Sequence, residues 1–148
     1  MLYSVGLCTG LRIADLLALN KYHVRQWIKN GWADVWIHKT RKYQRVIMDK
    51  DKSMELSVYM IANGVGNMLF YSSSNCKWRA ATRQHVVRVF KAASGLCGLQ
   101  GITPHSMRRT CAIDLYRSGA SITEVQHKLG HDRPQTTAIY LLERGVTV

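Results

Sequence analysis

The chain has 148 residues, 47% of them apolar, which suits one globular domain rather than two. Its 21 Lys and Arg residues against nine Asp and Glu give a net charge of +12, which indicates a polyanionic partner such as nucleic acid or an acidic membrane surface. The four cysteines contain no CxxC pair, so neither a zinc site nor a disulfide framework is predicted. No apolar run reaches the roughly 18 residues of a membrane span, and the chain is predicted to be soluble and cytoplasmic.

The first third of the chain combines a helical pattern with alternating runs. Gly10 is a helix breaker, so a short helix is predicted before it, and a second helix begins near Arg12. Asn30-Gly31 fits a type I′ turn between two alternating runs, and "YQRVIM" alternates again. These runs predict a three-stranded antiparallel meander from about Val24 to Met48, with Lys39 at a strand end.

The rest of the chain is predicted to be mostly helical, which makes the fold class α+β. Helical patterns run from Ser53 to Ala62 and, after a polar loop, from Thr82 to about Ser94. The last third carries signals for three more helices. The first is predicted to start at Thr103 and Pro104 and to end at Gly119, and the second to start at the capping box of Ser121 and Glu124 and to end at Gly130. Asp132 is predicted to cap the final helix.

The segment "PHSMRRT" places two phosphate-binding side chains at a helix start. His105 and Arg108 are three residues apart, so they share a face of the helix that begins at Pro104. The first N–H groups of a helix and its positive dipole end favour an anion, and a guanidinium matches two phosphate oxygens. The segment therefore predicts a phosphate site.

Five segments in order, "TGLRIADLLAL", "HKT", "TPHSMRRT", "LGH" and "TTAIY", resemble the successive motifs of the catalytic domain of the tyrosine recombinase (phage integrase) family, over residues 9 to 140. The resemblance implies a helical bundle with a small three-stranded antiparallel sheet, and one catalytic domain over residues 1–148 without the family's N-terminal core-binding domain. It also implies double-stranded DNA as the partner, no membrane, and a location at the nucleoid. Self-association as a tetramer is expected for the full-length protein, and activity without the core-binding domain stays open.

The resemblance also implies a set of site residues. Two arginines would hold the scissile phosphate, a tyrosine would attack phosphorus to form a 3′-phosphotyrosyl link, and a lysine would protonate the 5′ oxygen. One histidine would assist proton transfer, a second would bind the phosphate, and an aspartate would support the site. The two arginines are Arg12 and Arg108, the tyrosine is Tyr140 and the lysine is Lys39. His105 would assist proton transfer, His131 would bind the phosphate, and Asp15 would support the site. Fixed guanidinium groups can take the place of metal ions in phosphoryl transfer, so neither a metal nor another cofactor is predicted.

Four alternatives stay open. The segment from Arg108 to Gly130 also fits a helix-turn-helix, which predicts a DNA-binding module or remnant without chemistry. A type IB topoisomerase would use similar chemistry. His127 lies four residues before His131 and could form a metal pair with it, but Gly130 interrupts the helix between them. Tyr116 is the other candidate nucleophile, although it lies within an apolar helical pattern.

Overall fold

A computed structural model of the chain describes residues 1–63, 66–71 and 81–142. Over these ranges the chain is mostly helical, with a small antiparallel sheet. The elements in chain order are α1 (Leu2–Thr9), α2 (Ile13–Leu17), α3 (Lys21–Asn30), β1 (Trp32–Ile37), β2 (Lys42–Ile47), α4 (Lys50–Ala62), α5 (Arg83–Leu96), α6 (Pro104–Arg117), α7 (Ile122–Leu129) and α8 (Pro134–Leu142).

The predicted break at Gly10 is confirmed. Gly10 ends α1 in the left-handed conformation, with φ 65°, and its N–H donates to the Gly6 carbonyl. A Cβ at Gly10 would lie 2.7 Å from Leu129 Cδ2 and 3.1 Å from Cys111 Sγ. Both the backbone angle and the close packing therefore require glycine. Arg12 is the N-cap residue of α2, as predicted for a helix start.

The prediction of three strands is wrong, because the first of them is the helix α3. The spacing of Val24 and Trp27 is helical, both side chains are buried, and the Asn20 side chain caps the helix. Gly31 ends α3 with φ 78° rather than forming a type I′ turn. Since a left-handed glycine serves a helix end and a hairpin turn equally well, the Asn-Gly dipeptide did not distinguish them.

The sheet is a two-stranded hairpin that packs on α3. Its strands pair from Trp32 with Ile47 to Ile37 with Lys42. The Trp27 indole N–H donates to the Val46 carbonyl at 2.9 Å and fixes the hairpin to the helix. Lys39 lies in the turn that follows β1, two residues beyond the strand end where it was predicted.

The hairpin also contacts the C-terminal helices. The Gln44 side-chain amide donates to the Lys128 carbonyl at 2.9 Å, at the end of α7. Gly130, the next residue after α7, has φ 61°, and a Cβ there would lie 2.4 Å from Gln44 Oε1. This close approach holds the turn that carries Lys39 beside the connection between α7 and α8.

The downstream helices follow their predicted limits closely. α4 begins three residues before Ser53, because the Asp49 side chain caps it by accepting from the Lys52 N–H. α5 starts after Thr82 as predicted and extends two residues beyond Ser94. Part of the polar loop between these helices lies outside the described residues.

The caps of the last three helices are largely as predicted. The Thr103 N–H donates to the Ser106 side chain, and Ser121 and Glu124 form a reciprocal capping box. Gly119 and Gly130 follow α6 and α7 with positive φ angles. α8 begins at Pro134, so Asp132 lies two residues before the helix rather than at its cap.

Two groups of buried apolar side chains hold the domain together. The larger joins α1 to α5 and the hairpin, and Met107 links it to α6. The smaller joins α6, α7 and α8 around Val125, Leu129 and Leu141. Within the described ranges, no helix has both the length and the apolar character needed to cross a bilayer.

Candidate active site

Arg108 is the buried centre of the candidate site. Its side chain lies in the first turns of α6 and only 2% of its surface is exposed. One terminal nitrogen donates to the Gly10 carbonyl at 2.6 Å, and the other donates to the Leu129 carbonyl. These acceptors are at the ends of α1 and α7, where helix carbonyls lack partners within the helix. The fold therefore fixes the guanidinium from two sides.

Burial makes the charge of Arg108 less favourable than it would be in water. Burial first, and then the positive charge of Arg12, lower the pKa of Arg108 to about 10, while the nearby Tyr140 acts in the opposite direction. A pKa of about 10 still leaves Arg108 protonated at neutral pH. Two cationic side chains are thus held close together in a partly dehydrated place.

The turn that carries Lys39 is tied to α2 by Asp15. Asp15 is buried, and its Oδ1 accepts the backbone N–H of His38 at 2.9 Å. The same oxygen lies 2.9 Å from His38 Nδ1. Because His38 immediately precedes Lys39, the aspartate fixes the position of the lysine relative to Arg12, which begins the helix that contains Asp15.

Tyr140 lies against two histidines. Its hydroxyl is 2.6 Å from His105 Nε2. The rings of His105 and His131 both meet the tyrosine ring edge to face, with centroids 5.3 Å and 5.0 Å away. In the tautomer that leaves His105 Nε2 unprotonated, the hydroxyl donates this hydrogen bond, which is the geometry that a general base requires.

His131 is buried and lies close to several cations. Only 8% of the residue is exposed, and its Nδ1 lies 2.9 Å from the hydroxyl of Thr137 in α8. Burial, and then the charges of Arg108 and Arg12, lower the pKa of His131 to about 4. The imidazole is therefore neutral at pH 7. When Thr137 donates to Nδ1, the remaining ring nitrogen carries the proton and can donate to an anion.

The predicted residues line two adjoining cavities. The first has a volume of about 310 Å³ and is lined by Arg12, Lys39, His105, His131 and Tyr140, together with Asp132, Arg133 and Thr136. Arg108 lines the second cavity, which shares Arg12 and His105 with the first. The fold thus brings five separate parts of the chain to one place, and Asp15 supports it from α2. The chemical role of each residue stays a prediction.

Several residues at the site were not predicted. His38 pairs with Asp15, and Thr137 contacts His131. The sequence held a signal for the threonines, because Thr136 and Thr137 lie four and three residues before Tyr140 and so share its face of α8. The Gly10 carbonyl, by contrast, has no sequence signal as the acceptor for Arg108.

The comparisons with known proteins agree with this architecture. The model of the phage integrase family matches residues 2–144. The probable integrase/recombinase YoeC of Bacillus subtilis (strain 168) is 28% identical over 146 residues, which are 95% of this chain and 75% of YoeC. Tyrosine recombinase XerC of Herpetosiphon aurantiacus is 30% identical over 145 residues, and the match covers 89% of this chain and 44% of that protein.

Solved structures share the fold. The XerA recombinase has a TM-score of 0.72 at 27% identity, with 91% of this chain and 50% of that chain covered. A lambda integrase dimer bound to a COC′ core site has a TM-score of 0.75 at 21% identity, with 99% of this chain and 53% of that chain covered, a likeness that concerns the fold alone. Because a family model covers nearly all of its length, the chain belongs to the phage integrase family.

Proposed function

We propose that the chain is the catalytic domain of a site-specific DNA recombinase that cuts and rejoins DNA through Tyr140. One observation carries the proposal. The Tyr140 hydroxyl lies 2.6 Å from His105 Nε2 in a cavity that Arg12, Lys39 and His131 also line. A nucleophile, a base and cations thus surround a space of about 310 Å³ that suits one phosphodiester.

The proposed cleavage has four linked events. The Tyr140 oxygen attacks phosphorus while its proton passes to His105 Nε2, and the bond from phosphorus to the 5′ oxygen breaks. Lys39 gives a proton to the departing oxygen. The product is a 3′-phosphotyrosyl diester and a free 5′ hydroxyl. Attack by a 5′ hydroxyl on the diester reverses these steps and reseals the strand without ATP.

Phosphoryl transfer depends mainly on positioning and on stabilisation of charge. Arg108 is protonated and held by two carbonyls, and its pKa is lowered first by burial and then by the nearby charge of Arg12. Both guanidinium groups would stabilise the negative charge that gathers on the phosphate oxygens. Neutral His131 would donate one more hydrogen bond without adding charge. No step needs a metal ion in this scheme.

The chain spans three quarters of YoeC but less than half of XerC from Herpetosiphon. Activity, DNA target and assembly of the whole protein therefore belong to the proposal. Several structural neighbours were determined with DNA, which supports double-stranded DNA as the partner. A location at the nucleoid stays a prediction from the family resemblance. Tetramer formation on DNA stays a prediction from the family resemblance.

The experiment that tests the proposal traps the covalent intermediate. A labelled pool of nicked duplexes with randomised sequence is incubated with the chain in a chelator, so that a short 5′-hydroxyl strand diffuses away after cleavage. We expect an adduct that survives denaturing electrophoresis, with the phosphate on Tyr140 by peptide mass spectrometry. Tyr140→Phe should abolish the adduct and keep the affinity for duplex, which falls steeply with salt because phosphate contacts release counterions.

Tyr116→Phe is the matched control, because Tyr116 was the other candidate nucleophile and lies in α6 near the same helices. It should form the adduct at the wild-type level. An adduct that persists in Tyr140→Phe would remove Tyr140 from the mechanism. Salt-sensitive binding without any adduct would instead favour a DNA-binding module without chemistry.

A further inference from the structure

A second groove adjoins the candidate active site along the hairpin. We name it the hairpin groove; its volume is about 450 Å³. One wall is the turn after β1 and the start of β2, and the other is the end of α7 and the connection to α8. It shares Lys39, His131 and Asp132 with the cavity of Tyr140. The groove therefore begins where the proposed proton donor lies.

Tyr43 forms an exposed part of the groove wall. Tyr43 is 71% exposed. Its ring meets the Trp36 ring edge to face, with the ring centroids 5.1 Å apart and an angle of 67° between the ring planes. Trp36 is itself 41% exposed on the outward face of the hairpin. The cross-strand contact fixes the tyrosine ring, because the two residues pair directly across β1 and β2. A fixed, exposed aromatic face is a surface on which a nucleobase can stack.

The charge of the groove matches a nucleic-acid strand. Lys39 and Lys42 line it against one acidic residue, Asp132. A volume of about 450 Å³ is that of a small-ligand site, so it suits a nucleotide or two of single strand and is too small for a duplex. Proteins that bind single-stranded nucleic acid usually combine cationic side chains, which contact the phosphates, with an aromatic side chain on which a base stacks.

We propose that the hairpin groove receives the strand that ends in the 5′ hydroxyl after cleavage, with a base of that strand stacked on Tyr43. The inference rests on the proposed function, because protonation by Lys39 makes the strand depart on the side where the groove begins. A strand held there keeps its 5′ hydroxyl near the phosphotyrosyl link. Rejoining then becomes an intramolecular step rather than a bimolecular one.

A binding experiment tests the groove without any need for catalysis. The probe is a duplex with a short single-stranded tail that ends in a 5′ hydroxyl and contains 2-aminopurine, and the same duplex without a tail is the reference. We expect the chain to quench the probe and to bind the tailed DNA more tightly. Tyr43→Ala should lose the quenching and bind the tailed DNA about tenfold more weakly, with an unchanged affinity for the reference duplex.

Two further variants sharpen the result. Tyr43→Phe keeps the ring and should bind the tail as the wild type does. Tyr22→Ala is the matched control, because Tyr22 is 60% exposed at the start of α3 and does not line the groove. Thermal melting checks that each variant is folded. Wild-type binding and quenching by Tyr43→Ala would overturn the proposal.

The adduct assay separates this inference from the proposed function. Binding of the tail that depends on Tyr43, in a chain that forms no adduct, would support the groove and reject the chemistry. An adduct together with tail binding that does not depend on Tyr43 would reject the groove and support the chemistry. If both signals are absent, both proposals fail.

Discussion

His131 should make the folded chain sensitive to acid. Its pKa is about 4 in the folded state and 6.5 for an unperturbed histidine. Between these values the unfolded chain binds a proton that the folded chain rejects, so acid favours unfolding. The stabilisation is fully present above about pH 6.5 and is lost as the pH falls toward 4. At pH 4.5 the loss from this group is about 2.5 kcal/mol.

The assay compares the wild type with His131→Asn, which keeps a polar side chain but cannot titrate. Urea unfolding at pH 7.5 and at pH 4.5 gives a free energy for each protein. Six histidines and a net charge of +12 add their own pH dependence, which the difference between the two proteins largely cancels. Relative to that of the wild type, the free energy of unfolding of His131→Asn should be about 2.5 kcal/mol higher at pH 4.5 than it is at pH 7.5.

An equal difference at both pH values would refute the reasoning, because His131 would then titrate alike in the folded and unfolded chains. Nuclear magnetic resonance offers a direct check on the same residue. The ring of His131 should show the chemical shifts of a neutral imidazole at pH 6, where an unperturbed histidine is largely protonated.

Two other predictions concern the supports of the site. Asp15→Ala removes the acceptor that fixes the turn carrying Lys39, so the rate of adduct formation should fall about tenfold or more while duplex affinity stays near that of the wild type. Gly130→Ala should lower the free energy of unfolding by roughly 2 to 3 kcal/mol, measured by urea unfolding, because it adds backbone strain at φ 61° and displaces Gln44.

Each of these predictions has a control within the chain. Asp34 is an acidic residue of the same hairpin whose partner is the exposed Arg45, so Asp34→Ala should leave adduct formation unchanged. Gly31 has φ 78° with nothing within 4 Å of an added Cβ, so Gly31→Ala should show the backbone strain alone. Equal losses for Gly31→Ala and Gly130→Ala, or equal adduct rates for both aspartate variants, would contradict the structural reasoning.

The helix limits could be predicted where the signal was local. Gly10, Ser121 with Glu124, and Gly130 each act on backbone groups within one turn, and the structure confirms all of them. The hairpin prediction failed for a local reason too, because Gly31 needs only a positive φ and both a turn and a helix end provide it. The helix carried local signals of its own, the Asn20 cap and the helical spacing of Val24 and Trp27, and the contact of Trp27 with the hairpin adds a tertiary stabilisation.

The site shows the same division between local and distant information. The positions of the motifs predicted which side chains lie near one another, but not which hydrogen bonds hold those side chains in place. Arg108 donates to the Gly10 carbonyl, which is 98 residues away, and Asp15 accepts the backbone N–H of His38, which is 23 residues away. Such contacts depend on how helix ends meet in the folded chain, and neither periodicity nor capping carries that information.

The arrangement of the cations links the stability of the domain to its proposed affinity for phosphate. Burial first, and then neighbouring cations that include Arg12, lower the pKa of both Arg108 and His131, so two charged arginines lie beside a neutral histidine in a partly dehydrated place. A phosphate group among them would add an attraction to each arginine, which would oppose the repulsion between the two guanidinium groups. The same burial that reduces folding stability would therefore strengthen binding of the proposed phosphate, and it would strengthen binding of the proposed transition state more, since that state carries the greater negative charge.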